Sequence, residues 1–185
     1  MDIKEQKKEL RRQIRKLKSL LTKEEKEILS AKIFEKLEQC NEFVSSHCVL
    51  MYWSMDDEVC THGFVNKWYK DKVILLPCVE GDDLVLKQFK GEENMTEGEQ
   101  FAIPEPKGEA FTRTDEIDLM IIPGMAFDMQ KNRMGRGRGF YDRLLQTCNC
   151  TKIAVGFDCQ MTQSVPVEPF DVKMDKIITD KRTAE

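Results

Sequence analysis

Short apolar runs alternate with helix-like segments along most of the chain, and this alternation constrains the fold more than any other feature. Strand-like runs occupy residues 48–53, 72–77, 84–89, 117–123, 152–157 and 176–179. Helical patterns occupy residues 58–70 and 140–147. Strands that alternate with helices form βαβ units around a sheet covered on both faces. The sequence therefore predicts an α/β fold, a three-layer α/β/α open, mostly parallel, Rossmann-like sheet.

The first 40 residues predict two helices in front of this sheet. Apolar residues recur at spacings of three and four in the first helix, at Leu10, Ile14, Leu17 and Leu21. Thr22-Lys23-Glu24-Glu25 is the sequence of a capping box, which starts the second helix. The predicted apolar face of this second helix consists of Ile28, Ala31, Ile33, Phe34 and Leu37.

Proline and glycine divide the rest of the chain. Pro77 predicts the end of the strand at 72–77, and residues 90–116, rich in Gly, Pro and Glu, predict a mainly ordered loop. Ligands of open α/β sheets bind outside the carboxyl ends of the strands. We therefore expect a binding site at the loops after Tyr52, Pro77 and Ile122.

The length of 185 residues and the composition suit a single domain over residues 1–185. The charged start lacks the apolar segment of a secretory signal, and no apolar run reaches the length of a membrane span. We therefore expect a cytoplasmic protein that binds no membrane. The seven cysteines include no CxxC pair and are accompanied by two histidines, which argues against a structural zinc site and favours free thiols.

Positive charge is concentrated in two segments of a chain whose net charge is −4. Residues 1–20 contain eight Lys or Arg against three Asp or Glu, and residues 131–143 contain five Lys or Arg against one Asp. The remainder is strongly acidic. Proteins that bind long nucleic acids are usually basic over a broader surface. The distribution therefore favours a small anionic ligand.

The second basic segment contains a glycine loop between a predicted strand and a predicted helix. Its spacing at Gly135, Gly137 and Gly139 matches neither the Rossmann fingerprint nor a Walker A loop. Glycines nevertheless let backbone N–H groups point inward, and a helix N-terminus attracts anions. Arg136 and Arg138 add forked donors for phosphate oxygens. Nucleotide or phosphate binding is favoured, with RNA binding and a purely structural loop left open.

The remaining candidate residues are ambiguous when considered singly. Asp142 can interact with the dipole of its helix or hold Mg²⁺ beside phosphates. Lys7 and Arg11 lie on one helix face that could simply be solvated. Glu58 can be an ordinary acid at a helix N-terminus. The other ambiguous residues are two aromatic residues suited to a core or a heterocycle platform and two acids suited to the surface: Trp53, Phe101, Asp171 and Asp175.

Taken together, these segments resemble the 5-formyltetrahydrofolate cyclo-ligase family, from about residue 7 to residue 179. The resemblance rests on "KKELR", "YWSMDDEV", "LLPCV", "FAIPEP", "IDLMIIPGMAFD", "NRMGRGRGFYDRLL", "GFDCQ" and "PFDVKMDKIIT". The order of "PGxxFD" and "NRxGRGxGxYD" is its most specific part. The resemblance implies a monomeric enzyme that uses ATP and Mg²⁺ to convert 5-formyltetrahydrofolate into 5,10-methenyltetrahydrofolate, releasing ADP and phosphate.

The resemblance also implies roles for individual residues. It assigns ATP binding to Lys7, Arg11, Arg133, Met134, Gly135, Arg136, Gly137, Arg138, Gly139, Phe140 and Tyr141. It assigns folate binding to Trp53, Glu58, Phe101, Arg136, Gly137, Arg138, Gly139 and Phe140. It assigns Mg²⁺ to Asp142 and Asp171, and catalysis to Arg136 and Arg138. Asp175 stays structural in this interpretation.

The chain departs from the common family pattern at three positions. Many members have Lys at the position of Arg138, Tyr at that of Phe140 and Leu at that of Met134. Arg and Lys bind phosphate with different geometry, so the departures bear on the roles of residues 138 and 140. Two alternatives remain: another ATP-dependent kinase or ligase with the same loop, and a non-enzymatic RNA-binding domain that uses both basic segments.

Overall fold

The computed structural model describes residues 2–98 and 103–185. The helices are α1 (Ile3–Lys18), α2 (Lys23–Glu38), α3 (Asn41–Ser45), α4 (His62–Trp68) and α5 (Phe140–Thr147). The first strands are β1 (Cys48–Leu50), β2 (Val73–Glu80), β3 (Asp83–Gln88), β4 (Met95–Glu97), β5 (Pro104–Pro106) and β6 (Leu119–Ile122). The remaining strands are β7 (Ala126–Phe127), β8 (Arg133–Met134), β9 (Thr151–Val155), β10 (Lys176–Ile178) and β11 (Thr183–Ala184).

Seven strands form the main sheet in the order β11-β10-β9-β6-β1-β2-β3. The central strands from β10 to β2 pair in parallel, whereas β11 and β3 pair antiparallel at the two edges. The chain adds β2 on one side of β1 and β6 on the other. This change of direction is a topological switch point, where open α/β sheets form their ligand clefts.

Alternate residues of the central strands point to opposite faces, and each face has its own core. Val49 belongs to the core that includes Leu37 of α2. Its neighbour Leu50 belongs to the core that includes Leu145 of α5. All four side chains are buried, and burying an aliphatic side chain of this kind stabilises the fold by about 1.5–3 kcal/mol. The predicted α/β fold is confirmed, while the single domain over residues 1–185 stays a prediction.

Two predicted boundaries near the site are wrong. The strand predicted at 48–53 ends at Leu50, although the Met51 N–H still donates to the Leu75 carbonyl. The helix predicted to begin at Glu58 begins at His62. Glu58 therefore lies in a turn before the helix and not at a helix N-terminus.

Pro77 does not end its strand, because β2 continues to Glu80. β1 pairs with β2 only as far as Leu75, whereas Pro77 faces Leu86 of the antiparallel edge strand β3. Proline is tolerated in a strand where one side has no ladder partner. The region 90–116 is also not only loop, since β4 and β5 form a two-stranded ribbon within it.

Only part of the predicted apolar stripe of α1 is buried. Leu17 is 43% exposed, while Ile14 packs against Met134 of β8. The buried positions of α1 are Lys7, Ile14 and Lys18. This helix therefore packs on the β7–β8 hairpin at the rim of the binding cleft.

The capping box of α2 is confirmed in both directions. The Glu25 N–H donates to Thr22 Oγ1 at 3.1 Å, and the Thr22 N–H donates to Glu25 Oε2 at 2.7 Å. The predicted apolar face is correct at Ile33, Phe34 and Leu37, which are buried, but Ile28 and Ala31 are exposed.

Candidate active site

A pocket of about 290 Å³ lies at the carboxyl ends of β1, β2 and β6. Trp53 reaches it from the loop after β1, Val79 from the end of β2, and Pro123 from the loop after β6. The glycine loop and the first turn of α5 supply the opposite wall. The strand ends indicated by the sequence therefore do surround a cavity.

The glycine loop joins β8 to α5 and depends on glycine at two positions. Gly139 caps α5 with φ +72°, and Gly137 has φ +105°. A Cβ atom at Gly137 would lie 3.3 Å from the guanidinium of Arg11. Residues with side chains rarely adopt these angles. Glycine thus permits both the turn and the close approach of α1.

Helix α1 lies across the loop with one face, which carries Lys7, Arg11, Ile14 and Lys18 at spacings of four, three and four. The guanidinium of Arg11 donates from Nε to the carbonyl of Gly135 at 2.9 Å. A helix 16 residues long thus brings basic side chains from the start of the chain to a loop more than 120 residues away.

Lys7 forms a buried ion-pair cluster at one end of this face. Its Nζ donates to Glu168 and Asp171, each at 2.7 Å. Burial alone would lower the pKa of Lys7, but the hydrogen bonds and charges of the two carboxylates raise it above its ordinary value of 10.5. Lys7 is therefore fully charged, and it is held beside the acid that the sequence predicted as a metal ligand.

Arg11 lies in the middle of the face, near acids from two segments. Burial and the charge of Arg15 lower the pKa of Arg11, whereas Asp142 and Asp171 act to raise it. The two predicted Mg²⁺ ligands, which are 29 positions apart in the chain, therefore both act on one guanidinium.

Arg133 is buried, and its side chain organises the site from behind. Its Nη1 donates to the Pro123 carbonyl at 3.0 Å, and its Nη2 donates to Asp142 Oδ1 at 2.8 Å. Within the described residues its Nε has no hydrogen-bond partner. Met134, the next residue of β8, is also buried, in the cluster that contains Ile14 of α1. Among the predicted ATP-loop residues, Arg133 lines the pocket, whereas Met134 belongs to a core cluster.

Arg136 connects the glycine loop to the turn after β1. Its Nε and Nη2 donate to Glu58 Oε1 at 3.2 and 3.0 Å. The second oxygen of Glu58 accepts the Met55 N–H at 3.0 Å. Burial opposes the charge of Arg136, but Glu58 and Asp57 together raise its pKa. The predicted phosphate loop and the predicted folate acceptor therefore meet in one pocket.

Asp57 and Lys18 are site residues that the sequence analysis missed. Asp57 accepts from Arg136 Nη2 and from Lys18 Nζ, the latter at 2.8 Å. Burial would raise the pKa of Asp57, but the hydrogen bonds from Lys18 and Arg136 lower it below its ordinary value. The sequence does contain a sign of the role of Lys18, because its spacing places it on the helix face that carries Lys7 and Arg11. The leucine spacing of α1 instead indicates a buried face that includes Leu17 and not Lys18.

Aromatic rings form the wall beside β1. Trp53 stacks on His62 with ring centroids 4.1 Å apart and an interplanar angle of 16°, and it also stacks on Phe89 at 5.5 Å. Trp53 is thus both part of an aromatic stack and a lining residue, which combines the two interpretations of this residue. Phe101, the other predicted aromatic contact, lies outside the described residues.

Two tyrosines line the inner end of the pocket. Burial and the nearby charge of Glu58 raise the pKa values of Tyr52 and Tyr141, so both phenols stay protonated. The Tyr52 hydroxyl donates to the Val59 carbonyl at 3.1 Å. Arg138 and Phe140, the two departures from the common family pattern, both line the pocket.

Glu105 is a further lining residue that the sequence analysis missed. It is buried, and its Oε1 accepts the Val79 N–H at 2.9 Å, which ties the β4–β5 ribbon to the end of β2. It is the glutamate of "FAIPEP", a segment noted in the sequence only for Phe101 and for the family resemblance. Its contact shows how the ribbon reaches the pocket wall.

The acids near the glycine loop suit a metal ion that arrives with phosphates. In residues 2–98 and 103–185 no group of three or more His, Cys, Asp or Glu side chains forms a cage for a metal. Mg²⁺ commonly takes only one or two carboxylates and completes its shell with phosphates and water. Asp142 and Asp171 supply two such carboxylates, but each is paired here with a cationic side chain, Arg133 or Lys7, which Mg²⁺ would have to share or replace.

Asp175, the acid four positions after Asp171, contacts the backbone and not a cationic side chain. Asp175 accepts the backbone N–H of Lys152 at 2.7 Å, which agrees with the structural role expected for it.

Over the described ranges, no helix has the length and apolar character needed to cross a membrane.

Comparisons with known proteins agree on one family. The model of the 5-formyltetrahydrofolate cyclo-ligase family matches residues 3–180. The 5-formyltetrahydrofolate cyclo-ligase of Haemophilus influenzae is 29% identical over 179 residues, which covers 92% of this chain and 95% of that protein. The mouse protein of the same name is 27% identical over 191 residues, which covers 95% of this chain and 94% of that protein.

Solved structures give the same result. The 5,10-methenyltetrahydrofolate synthetase of Aquifex aeolicus superposes with a TM-score of 0.87 at 31% identity, covering 97% of this chain and 92% of that one. The synthetase of Mycoplasma pneumoniae gives a TM-score of 0.75 at 26% identity, covering 94% of this chain and 98% of that one. With the family model matching almost the whole sequence, the chain belongs to the 5-formyltetrahydrofolate cyclo-ligase family.

Proposed function

We propose that this protein closes the ring of 5-formyltetrahydrofolate to 5,10-methenyltetrahydrofolate, with ATP converted to ADP and phosphate. The observation that carries the proposal is the contact of Arg136 with Glu58, which joins a glycine loop suited to phosphates with a carboxylate suited to a pterin. A reaction between ATP and a folate needs both groups in one cavity.

The proposed chemistry follows from the formyl group. Its oxygen is a poor leaving group, so transfer of the ATP γ-phosphoryl group to that oxygen produces a better one. The N10 amine then attacks the activated carbon, forms the new C–N bond and loses its proton, and phosphate departs. Phosphoryl transfer depends mainly on positioning and on neutralising charge.

The basic residues of the site suit the ATP side of this reaction. Lys7, Arg11, Arg136 and Arg138 would bind phosphate oxygens together with the backbone N–H groups of residues 135–139. Mg²⁺ bound to the phosphates would neutralise negative charge, with Asp142 and Asp171 holding it. Arg133 orients Asp142 through its 2.8 Å contact. Tyr141 and Phe140 close the loop side of the pocket.

The acidic and aromatic residues suit the folate side. The carboxylate of Glu58 would accept hydrogen bonds from the donor edge of the pterin. Trp53 would flank the ring system, and the family resemblance implies the same role for Phe101. Glu58 already accepts two hydrogen bonds from Arg136, so folate binding would replace or share that contact.

An RNA-binding function is less well supported by the charges. The basic side chains of the two segments are concentrated at one place, since Lys7, Arg11 and Lys18 share one face of α1 and Arg11 contacts the glycine loop that carries Arg136. An electrostatic surface for nucleic acid requires basic side chains that reach phosphates across a broad face.

One assay tests the proposal directly. The protein is incubated with 5-formyltetrahydrofolate and Mg-ATP, and the near-ultraviolet absorbance of the methenyl product is followed, with ATP omitted as the control. We expect product only when ATP is present. Folded protein that forms no ATP-dependent product would contradict the proposed function, and salt-sensitive binding to oligonucleotides would favour the RNA alternative.

A further inference from the structure

We propose that Asp57, fixed by the buried ammonium group of Lys18, is a positioning residue that holds the guanidinium of Arg136 in the pocket while Glu58 binds the substrate. The inference rests on the proposed function for its catalytic consequence. It assigns roles to two residues at the end of α1 and in the turn after β1.

The contact between Lys18 and Asp57 is unusually well buried on one side. The side chain of Lys18 is 2% exposed, and its Nζ donates to both the Asp57 carbonyl at 2.6 Å and Asp57 Oδ2 at 2.8 Å. A buried ammonium group is strongly destabilising unless it is paired. Lys18 therefore fixes both the backbone and the carboxylate of Asp57.

The fixed carboxylate then holds Arg136 through its other oxygen. Lys18 occupies Asp57 Oδ2, while Arg136 Nη2 donates to Asp57 Oδ1. The side chains of Arg136 and Asp57 are 38% and 40% exposed, and ion pairs of exposed side chains are weak when both partners are free to move. An acid anchored from the protein interior loses less conformational freedom on pairing, so it restricts Arg136 more strongly.

The second partner of Arg136 is the residue proposed to bind the pterin. Glu58 accepts from both Nε and Nη2 of Arg136. When folate donors compete for the Glu58 carboxylate, the contact of Arg136 with Asp57 remains, because it is made to the carboxylate of a different residue. The guanidinium of Arg136 thus keeps its position in the pocket, where a displacement of about 1 Å can reduce the rate about 100-fold.

The first experiment measures turnover with 5-formyltetrahydrofolate and Mg-ATP for Asp57→Asn. We expect kcat to fall about 10- to 100-fold for Asp57→Asn, since Arg136 is no longer fixed. The matched control is Asp158→Asn, which removes the carboxylate partner of Arg182 outside the pocket. We expect the control to lower the melting temperature and to leave kcat unchanged.

A double-mutant cycle separates positioning from general destabilisation. In an Arg136→Gln background, Asp57→Asn should cause no further loss of kcat, because Asp57 acts only through Arg136. Independent losses that multiply in the double variant would overturn the inference. So would a folded Asp57→Asn variant with the kcat of the wild type.

A second readout does not depend on activity. Phenylglyoxal modifies deprotonated guanidinium groups, and mass spectrometry can follow its addition to Arg136 relative to the exposed Arg12. We expect Asp57→Asn to accelerate modification of Arg136 several-fold relative to Arg12, because a charged partner has been removed. Equal rates in variant and wild type would overturn the inference. If the wild type forms no methenyl product, the proposed function fails, and this rate still decides the positioning role.

Discussion

The two ends of the central sheet both carry acidic residues, but they use them differently. At the carboxyl end, Asp171 pairs with Lys7 across 164 positions of the chain, and Glu58 pairs with Arg136 across 78. At the amino end, Asp118 accepts backbone N–H groups of His47 and Cys48, at 2.7 and 2.8 Å. Asp171 and Glu58 thus hold side chains of remote segments around the pocket, while Asp118 holds the backbone at the start of β1.

This difference explains why only one end suits a reaction. A contact between two side chains can open and be replaced by a phosphate or a pterin while the backbone stays in place. A carboxylate that holds the start of β1 cannot be given to a ligand without loss of strand hydrogen bonds. The amino end also has a surface depression, lined by residues that include Asp118 and Asp175, but both of these acids already accept backbone N–H groups.

The largest effect is expected from Asp142→Asn at the carboxyl end. The variant loses the negative charge that faces Arg133 and the proposed Mg²⁺ site, so we expect kcat/KM for ATP to fall about 100-fold. Turnover is measured over a titration of Mg²⁺, and thermal unfolding serves as the control for folding. Turnover equal to that of the wild type at limiting Mg²⁺ would show that the metal assignment is wrong.

A smaller effect at the same end is expected from Glu58→Gln. The amide keeps the shape of the side chain but loses the charge that accepts from Arg136 and from the proposed pterin donors. A hydrogen bond to a charged group contributes about 1.5 kcal/mol, so KM for 5-formyltetrahydrofolate should rise about 10-fold.

The matched control for this variant is Glu42→Gln. Glu42 pairs with Lys176 at the start of β10, at the amino end of the sheet, and it does not line the pocket. Its KM should equal that of the wild type. Equal increases in the two variants would remove the distinction between the two ends of the sheet.

The amino end should respond in stability only. Asp118→Ala removes an acceptor of two backbone N–H groups, so we expect the free energy of unfolding to fall by about 1 kcal/mol, a modest value because the side chain is exposed. Turnover per folded molecule should not change. Denaturant titration combined with the methenyl assay checks both statements, and a loss of turnover without a loss of stability would contradict them.

The same variant gives a pH dependence. The hydrogen bond from Cys48, partly opposed by desolvation and assisted by that from His47, lowers the pKa of Asp118 below its ordinary value of 3.8. A carboxyl group whose pKa is lowered on folding stabilises the fold at pH values above 3.8. This contribution disappears as the pH falls through the pKa of the folded state. The stability difference between the wild type and Asp118→Ala should therefore shrink in acid.

The smallest difference between the two ends is expected in the reaction rates of their buried thiols with a disulfide reagent. Burial raises the pKa of Cys48 at the amino end to about 11 and that of Cys78 in β2 to about 12. Little thiolate is therefore present at pH 8, and both should react slowly with a disulfide reagent, after the partly buried Cys60. Rapid labelling of either residue in the folded protein would show that its end of the sheet opens readily.

Much of this architecture could be predicted from local patterns. The alternation of apolar runs and helices predicted the parallel sheet, and α5 begins and ends at the predicted residues, Phe140 and Thr147. The rule that ligands bind at the carboxyl ends of strands predicted the pocket. The sequence also indicates Arg136, Glu58 and Trp53 as candidates, because arginine, carboxylate and aromatic groups suit phosphate and pterin chemistry.

Other features could not be predicted, because they depend on contacts between distant segments. Leucine spacing predicted the buried face of α1 only in part: Ile14 is buried, but Leu17 is exposed, and the helix uses the buried Lys18 to hold Asp57. Pro77 predicted the end of a strand, but only the pairing of β2 with β3 determines whether its missing N–H matters.

The sequence by itself determined the α/β fold, the family and most of the chemical groups of the site, because these follow from short-range periodicity and from motifs. Only the tertiary structure decided which of these groups meet. A charged side chain has no preferred partner in the sequence, and its partner is set by which remote carboxylate shares its burial. The ion pairs from Lys7 to Asp171 and from Lys18 through Asp57 to Arg136 arise in that way.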